Sequence, residues 1–400
     1  MPFGINYIRV QNYRCWADVT LGHIGDQVWF VGPNGAGKTS LLDAIAFPCD
    51  LLRLGGLPAL SGDLRIGPEK QRISFKDLLF DKEKEAHWEF SFSTDTAEGN
   101  YKYELTLLAS GMGFEVVTEN LSVCRGGNDF SLLERDASGA RWRSGELNAE
   151  TWMPVSPTRG ELLLSRGGDR LQTPELVLPL MFLKGVWLLR PIPLLMHGGA
   201  RTWDGQQHPD RYGRDLDALV DWAIGAFPKH MAGFAEVLGR LTGLTELRAV
   251  PRHGRRELDF SESTDAWLPF FLASDGQALL TYVALLATFL PETANVILLD
   301  EPGVALSTAG HNELAPWLVE LCNSAQLIAV THSPRTIDEA ANSRGEVVVV
   351  ERRPGQAATA TRLEDVVGIE NVPGIFGPGE AADGFWRGHF VDFEDDDDEE

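Results

Sequence analysis

The sequence predicts an α/β fold: a mixed sheet joined to an antiparallel N-terminal sheet, with an inserted helical lobe. Three observations predict it. The apolar run Val28 to Val31 leads into the glycine-rich segment Gly32 to Ser40 and then into Leu41 to Leu52, which has helical spacing. Period-two alternation marks His87 to Ser93 and Tyr101 to Leu107 as antiparallel strands. The continuous apolar run Val296 to Leu299 ends at Asp300-Glu301-Pro302, as suits the centre of a largely parallel sheet.

The remaining elements follow in order. Tyr7 to Val10 alternates as a first strand, and Val19 to Leu21 and Gln27 to Val31 flank the turn Gly25-Asp26. Breaks at Gly55 to Pro58 end the first helix. Phe114 to Val117 and Leu121 to Cys124 extend the antiparallel sheet as a meander, whereas Asn128 to Thr158 is rich in turns and promises a strand or two. Beyond Glu161 the texture becomes leucine-rich helix, with Arg214 to Phe227 and His230 to Leu241 divided by Pro228. Leu247 to Val250 and Arg256 to Phe260 read as a hairpin, Ala278 to Leu290 as a helix, and Gln326 to Val330 and Glu346 to Val350 as strands. Residues 1–125 and 263–350 are therefore expected to be two halves of one unit, separated by a mainly helical insertion at 126–262. An extension at 351–391 and an acidic tail at 392–400 follow, the tail expected to be disordered by its own repulsion.

A chain of 400 residues with 44% apolar content is long and hydrophobic enough for a substantial core. No basic flank precedes a long apolar run at the start, so no signal peptide is evident. The most hydrophobic stretches, Leu176 to Met196 and Ala278 to Leu290, carry charges or are too short to span a bilayer, and a cytoplasmic location is expected. Cys15, Cys49, Cys124 and Cys322 lack paired spacing and are expected to be small buried hydrophobes. The net charge of −23 opposes nucleic acid at long range, though Arg141, Arg143, Arg252, Arg255 and Arg256 leave a local basic surface open.

The segment Gly32 to Ser40 has the spacing G-x-x-x-x-G-K-T between a strand and a helix, which marks a phosphate-binding loop and hence a nucleoside triphosphate site. Glycines 32, 35 and 37 allow the backbone to curl around phosphate, so Asn34, Gly35, Ala36, Gly37, Lys38, Thr39 and Ser40 are the candidate cofactor-binding residues. Lys38 is expected to reach the β- and γ-phosphates and Thr39 to ligate Mg²⁺. Ser40 suits local helix hydrogen bonding better than metal coordination.

The second half of the site begins at the end of the Val296 to Leu299 strand. Asp300 is positioned to hold Mg²⁺ through water, and Glu301 to polarise an attacking water. His332, just beyond Gln326 to Val330, is a candidate γ-phosphate ligand that keeps that water in line. Ser274 and Gly276 open a helix and make a second candidate anion site.

Together, Gly32 to Ser40, Ser274 to Gln277, Leu298 to Pro302 and Ala329 to Ser333 resemble the ATP-binding-cassette (ABC) ATPases of the structural-maintenance-of-chromosomes (SMC) and recombination-protein-F kind. More narrowly, they resemble the compact ATPases grouped with overcoming-lysogenization-defect nucleases and bacterial antiphage systems. The opening Ile8 to Cys15, with its Asn-aromatic-Arg, matches the usual start of that group. The resemblance implies an ABC-type P-loop NTPase head. It also implies a homodimer or higher homo-oligomer, in which Lys38, Asp300, Glu301 and His332 of one head face Ser274 and Gly276 of the other across ATP. ATP binding would close the heads and hydrolysis release them, gating a separate effector protein in DNA repair or antiphage defence. A glutamine that senses Mg²⁺ is expected as well, and Gln71 lies at a suitable distance after the first helix. Where the group often has leucine-histidine-proline, this chain reads Leu306-Ser307-Thr308.

Two other readings share these motifs. A scaffold that does not hydrolyse ATP could hold a toxin or nuclease until triggered, and a transporter ATPase could serve a permease. The long insertion and the Asn12-Tyr13-Arg14 start count against the transporter. Residues 120–260 lack the paired heptad helices of a long coiled-coil arm, and no catalytic cluster of a nuclease follows His332.

Overall fold

The computed structural model describes residues 4–60, 74–94, 99–145, 151–197, 208–252, 255–262, 266–289, 293–333, 336–338 and 345–365. The acidic tail at 392–400 lies outside them.

Alternating burial builds the first sheet. Its strands are β1 (Gly4–Tyr13) and β2 (Trp16–Gly22), whereas β3 (Gln27–Val31) leaves for a second sheet and leads to helices α1 (Lys38–Leu54) and α2 (Gly56–Leu60). The chain then returns through β4 (Glu85–Ser93), β5 (Asn100–Ser110), β6 (Gly113–Arg125), β7 (Asn128–Asp136), β8 (Gly139–Arg143) and β9 (Trp152–Val155). The order is β2-β1-β4-β5-β6-β7-β8-β9, with every pair antiparallel.

Two expectations are corrected here. The meander pieces expected at Phe114 to Val117 and Leu121 to Cys124 are one strand, β6, whose pairing with β7 shifts register between Leu121 and Ser122. Three strands, β7 to β9, occupy the stretch read as turns. The cause is local: Gly126 and Gly127, at φ 57° and 79°, close the two-residue hairpin between Arg125 and Asn128. Turn residues there join strands and do not replace them.

The second sheet gathers distant segments. After α3 (Pro174–Lys184) come β10 (Val186–Leu189), α4 (Pro193–Met196), α5 (Leu216–Ala226), α6 (Pro228–Thr242) and a small antiparallel sheet of β11 (Glu246–Arg252), β12 (Arg255–Ser261) and β13 (Trp267–Pro269). Then follow α7 (Asp275–Phe289), β14 (Val296–Asp300), α8 (Thr308–Ser324), β15 (Gln326–Val330), β16 (Glu346–Glu351) and β17 (Thr359–Arg362). The order is β10-β14-β15-β3-β16-β17, parallel except for the last strand. Among the described residues, 126–262 thus mixes strands with helices and is not mainly helical, because β7 to β9 complete the first sheet and β10 enters the second.

Strands buried on both faces divide the core. Val28, Phe30, Val296, Leu298, Ile328 and Val330 pack with α1, α3 and the first sheet, whereas Trp29, Ile297, Leu299, Leu327 and Ala329 pack with residues of α5 to α8. Gln326 pins the two sheets together: its Oε1 accepts the Ile5 N–H at 2.9 Å, and its Nε2 donates to Ile5 O and Gly25 O, both at 2.8 Å. A buried amide with all three bonds made is a specific clamp, since losing any partner would leave a desolvated polar group.

Cys15 and Cys49 are buried as expected, but Cys124 is exposed and Cys322 is partly so. Strand alternation explains Cys124, which points away from the core that Val123 enters. The arginines weighed for nucleic acid fall in separate places, on β8 and on the β11–β12 hairpin. Arg141 pairs with Glu134, Arg252 with Asp259 and Arg256 with Asp221, so the charge of these three is matched locally. No helix among the described residues is long and apolar enough to cross a membrane.

Candidate nucleotide site

Four neighbouring parallel strands end on the same side of the second sheet. From β10 comes Arg190, from β14 Asp300 and Glu301, from β15 His332, and from β3 the glycine-rich loop. The crevice beyond the carboxyl ends of such strands is where open α/β sheets place ligands.

The loop is shaped by its glycines. Gly32, Gly35 and Gly37 have φ of 146°, 80° and 114°, conformations that side chains rarely adopt. At Gly32 an added Cβ would stand 2.1 Å from the Val350 carbonyl oxygen, and at Gly37 2.6 Å from the Cys15 sulfur. Gly32→Ala is therefore expected to destabilise the protein by at least about 2 kcal/mol, from backbone strain plus displacement of β16. A thermal melt that matches the parent would refute that packing.

Lys38 is 5% exposed, and its ammonium donates to Gly32 O at 2.8 Å and Pro33 O at 3.0 Å. Burial lowers its pKa, while Glu301 and Asp300 act to raise it. Among the described residues, the backbone N–H groups of Gly35, Gly37, Lys38 and Thr39 have no hydrogen-bond partner. Unpaired N–H groups at a helix start, beside a lysine, fit a phosphate. Asn34 and Gly35 form the exposed tip of the loop, and Ala36 is buried. Ser40 turns instead to the Cys15 thiol.

Thr39 and Asp300 meet across 261 positions, the hydroxyl donating to Oδ1 at 3.0 Å. Asp300 is 1% exposed, and burial raises its pKa against the opposing pull of Arg190, Thr39 and Lys38. A hydroxyl oxygen beside a buried carboxylate is a hard-oxygen donor set that fits Mg²⁺.

Glu301 holds a left-handed φ of 52°, fixed by its N–H donating to Val330 O at 3.1 Å. For a residue other than glycine such a conformation is costly, which favours a functional reading of the position. Its Oε1 lies 3.0 Å from His332 Nε2, and both side chains are partly open to solvent. The loop that follows rests on His311: a Cβ at Gly303 would stand 2.2 Å from that ring.

Ser274 and Gly276 form the start of α7, apart from this group. Ser274 is exposed, its Oγ accepts the Gln277 N–H at 3.2 Å, and Gln277 Oε1 accepts the Ser274 N–H at 2.8 Å. That reciprocal cap presents the helix end to solvent. A Cβ on Gly276 would meet Leu306 at 3.4 Å, so the loop after Glu301 lies against the same helix start. Among the described residues no hydrogen bond joins Ser274 to Lys38, Thr39, Asp300, Glu301 or His332.

Gln71 lies outside the described residues. The side chain found beside Asp300 is Arg190, with Nε 3.5 Å from Oδ2. Sequence reasoning missed it by reading beyond Glu161 as helix. The signal was Val-Trp-Leu-Leu between Gly185 and Pro191, a short apolar run rich in strand formers and bounded by breakers.

A protein-family model described as "AAA domain, putative AbiEii toxin, Type IV TA system" matches residues 29–150 and 197–338. The interval 151–196, which holds β10 and Arg190, lies between the matched stretches. Among solved structures, the chain is similar to an SmcHead bound to the C-winged helix domain of ScpA, at TM-score 0.54 and 14% identity, covering 90% of this chain and 97% of that one. It is also similar to an Smc head domain with an extended coiled coil bound to the C-terminal domain of ScpA, derived from Pyrococcus furiosus, at TM-score 0.53 and 12% identity, covering 92% and 99%. At these identities the likeness is one of fold. No curated protein matches the chain significantly.

Proposed function

The chain belongs to this AAA-domain family and has the ABC-type ATPase head fold, and on that premise we propose that it binds and hydrolyses ATP at the crevice of its second sheet. Two copies close on ATP, with Ser274 and Gly276 of each head completing the site of the other. The closing and opening heads regulate or drive a separate partner protein in DNA repair or antiphage defence.

The observation that carries this reading is the 3.0 Å contact between Thr39 and Asp300, which brings loop and carboxylate strand to one point. Lys38 and the unpaired N–H groups of the loop bind the phosphates. Thr39 and Asp300 would hold Mg²⁺, which when bound would neutralise charge on the transferring phosphoryl group. Glu301 orients water for in-line attack, and His332 holds the Glu301 carboxylate in place.

The exposed start of α7 suits the paired arrangement, because among the described residues no hydrogen bond ties Ser274 to the phosphate loop of its own chain. Apolar residues surround it: Phe271 is 60% exposed, Leu272 57% and Val304 71%. Exposed apolar residues this close together suit an interface.

Phosphate release by the purified full chain tests the reading. Release that requires both ATP and Mg²⁺, and that rises when a co-purifying partner is added, is the expected result. A chain that binds ATP yet releases no phosphate with or without that partner would overturn the hydrolytic assignment.

A further inference from the structure

Asp300 is a buried carboxylate with both oxygens engaged. Thr39 donates to Oδ1 at 3.0 Å, and Arg190 Nε stands 3.5 Å from Oδ2. A buried carboxylate needs a compensating cation, and among the described residues Arg190 is its ion-pair partner.

Arg190 is held at one end and open at the other. Its backbone N–H donates to Arg211 O at 2.6 Å. The Arg211 guanidinium in turn pairs with Asp50 Oδ2 at 2.6 Å and stands 3.8 Å from Asp43 Oδ1, both on α1 behind the phosphate loop. The main chain of Arg190 is thereby tied to the helix that the loop begins. Its side chain is nonetheless 53% exposed, and a guanidinium carries five donors, of which this pair engages one.

We infer that Arg190 neutralises Asp300 before nucleotide binds and, once Thr39 and Asp300 hold a divalent cation, turns its unused donors to the terminal phosphate. The inference rests on the ATP reading above. With a divalent cation held by Thr39, Asp300 would no longer need the guanidinium as counter-charge, and Arg190 would be released from the ion pair. The loop N–H groups and Lys38 occupy the side of the site toward α1, while Arg190 stands at the end of β10, beside Asp300 at the end of β14. Hydrolysis at Glu301, the residue after Asp300, would bring the terminal phosphate to that side. Arg190 would thus report whether the third phosphate is present, adding to the contact that Lys38 makes from the loop side.

The test compares two nucleotides. In the full chain carrying Glu301→Gln, affinities for Mg-ATP and Mg-ADP are measured for Arg190, Arg190→Ala and Arg190→Lys, together with thermal unfolding of each nucleotide-free protein. The expected result is an Mg-ATP affinity lowered about tenfold or more in Arg190→Ala, an Mg-ADP affinity within about twofold, a lower melting temperature without nucleotide, and partial recovery of the ATP preference in Arg190→Lys. Should Arg190→Ala fail to fold, Arg190→Gln carries the same comparison. Equal losses for both nucleotides, or a change in melting temperature alone, would reduce Arg190 to a fixed counter-ion and overturn the inference. If the Glu301→Gln parent binds neither nucleotide, the ATP reading itself fails, an outcome distinct from a loss confined to the Arg190 variants.

Discussion

Glu301→Gln is expected to slow phosphate release by about 10²- to 10⁴-fold while ATP affinity stays within about threefold of the parent. That range corresponds to roughly 3–5 kcal/mol in the barrier. The amide keeps the size of the carboxylate and an oxygen that can accept from His332 Nε2, now 3.0 Å from Glu301 Oε1. It removes only the charge that polarises water. The left-handed backbone at φ 52° and the N–H bond to Val330 O belong to the main chain and survive the change. Single-turnover phosphate release beside equilibrium nucleotide binding separates the two effects. Undiminished release would move the role of base to another residue.

Lys38→Ala is expected to weaken ATP binding by about 5- to 1000-fold. Charge-assisted hydrogen bonds to phosphate contribute about 1.5–3 kcal/mol each, so two would contribute roughly 3–6 kcal/mol. Forming them requires breaking the bonds from the ammonium to Gly32 O and Pro33 O, which offsets about 2 kcal/mol. The net of about 1–4 kcal/mol sets the expected range. Titration with a fluorescent ATP analogue measures it, and a circular dichroism melt shows whether the loop keeps its shape. An unchanged affinity in a folded Lys38→Ala protein would place the triphosphate elsewhere.

Much of the architecture was legible because its signals are local. Val28 to Val31 before Gly32, and Val296 to Leu299 before Asp300, are continuous apolar runs that only a strand buried on both faces explains. The glycines of the loop were legible for the same reason, since their positive φ values are demanded by the motif itself. What escaped depended on distance. Arg190 meets a carboxylate that lies 110 positions later, and nothing in the residues around it signals that partner. Gln326 is similar: an isolated glutamine in an apolar strand gives no sign that it will bind the backbone of Ile5. β7 to β9 escaped because their glycine turns resemble loop sequence until the strands on either side are paired. The grouping of Lys38, Thr39, Asp300, Glu301 and His332 was anticipated from chain order; in the structure Thr39 meets Asp300 and His332 meets Glu301.

The paired-head account is tested most directly by the mass of the Glu301→Gln chain in solution, measured by sedimentation with saturating Mg-ATP and then with Mg-ADP. A species of twice the 44.0 kDa chain with ATP, reverting to the single chain with ADP and abolished by Ser274→Arg while ATP stays bound, is the predicted result. An ATP-saturated Glu301→Gln protein that sediments as one chain would contradict it.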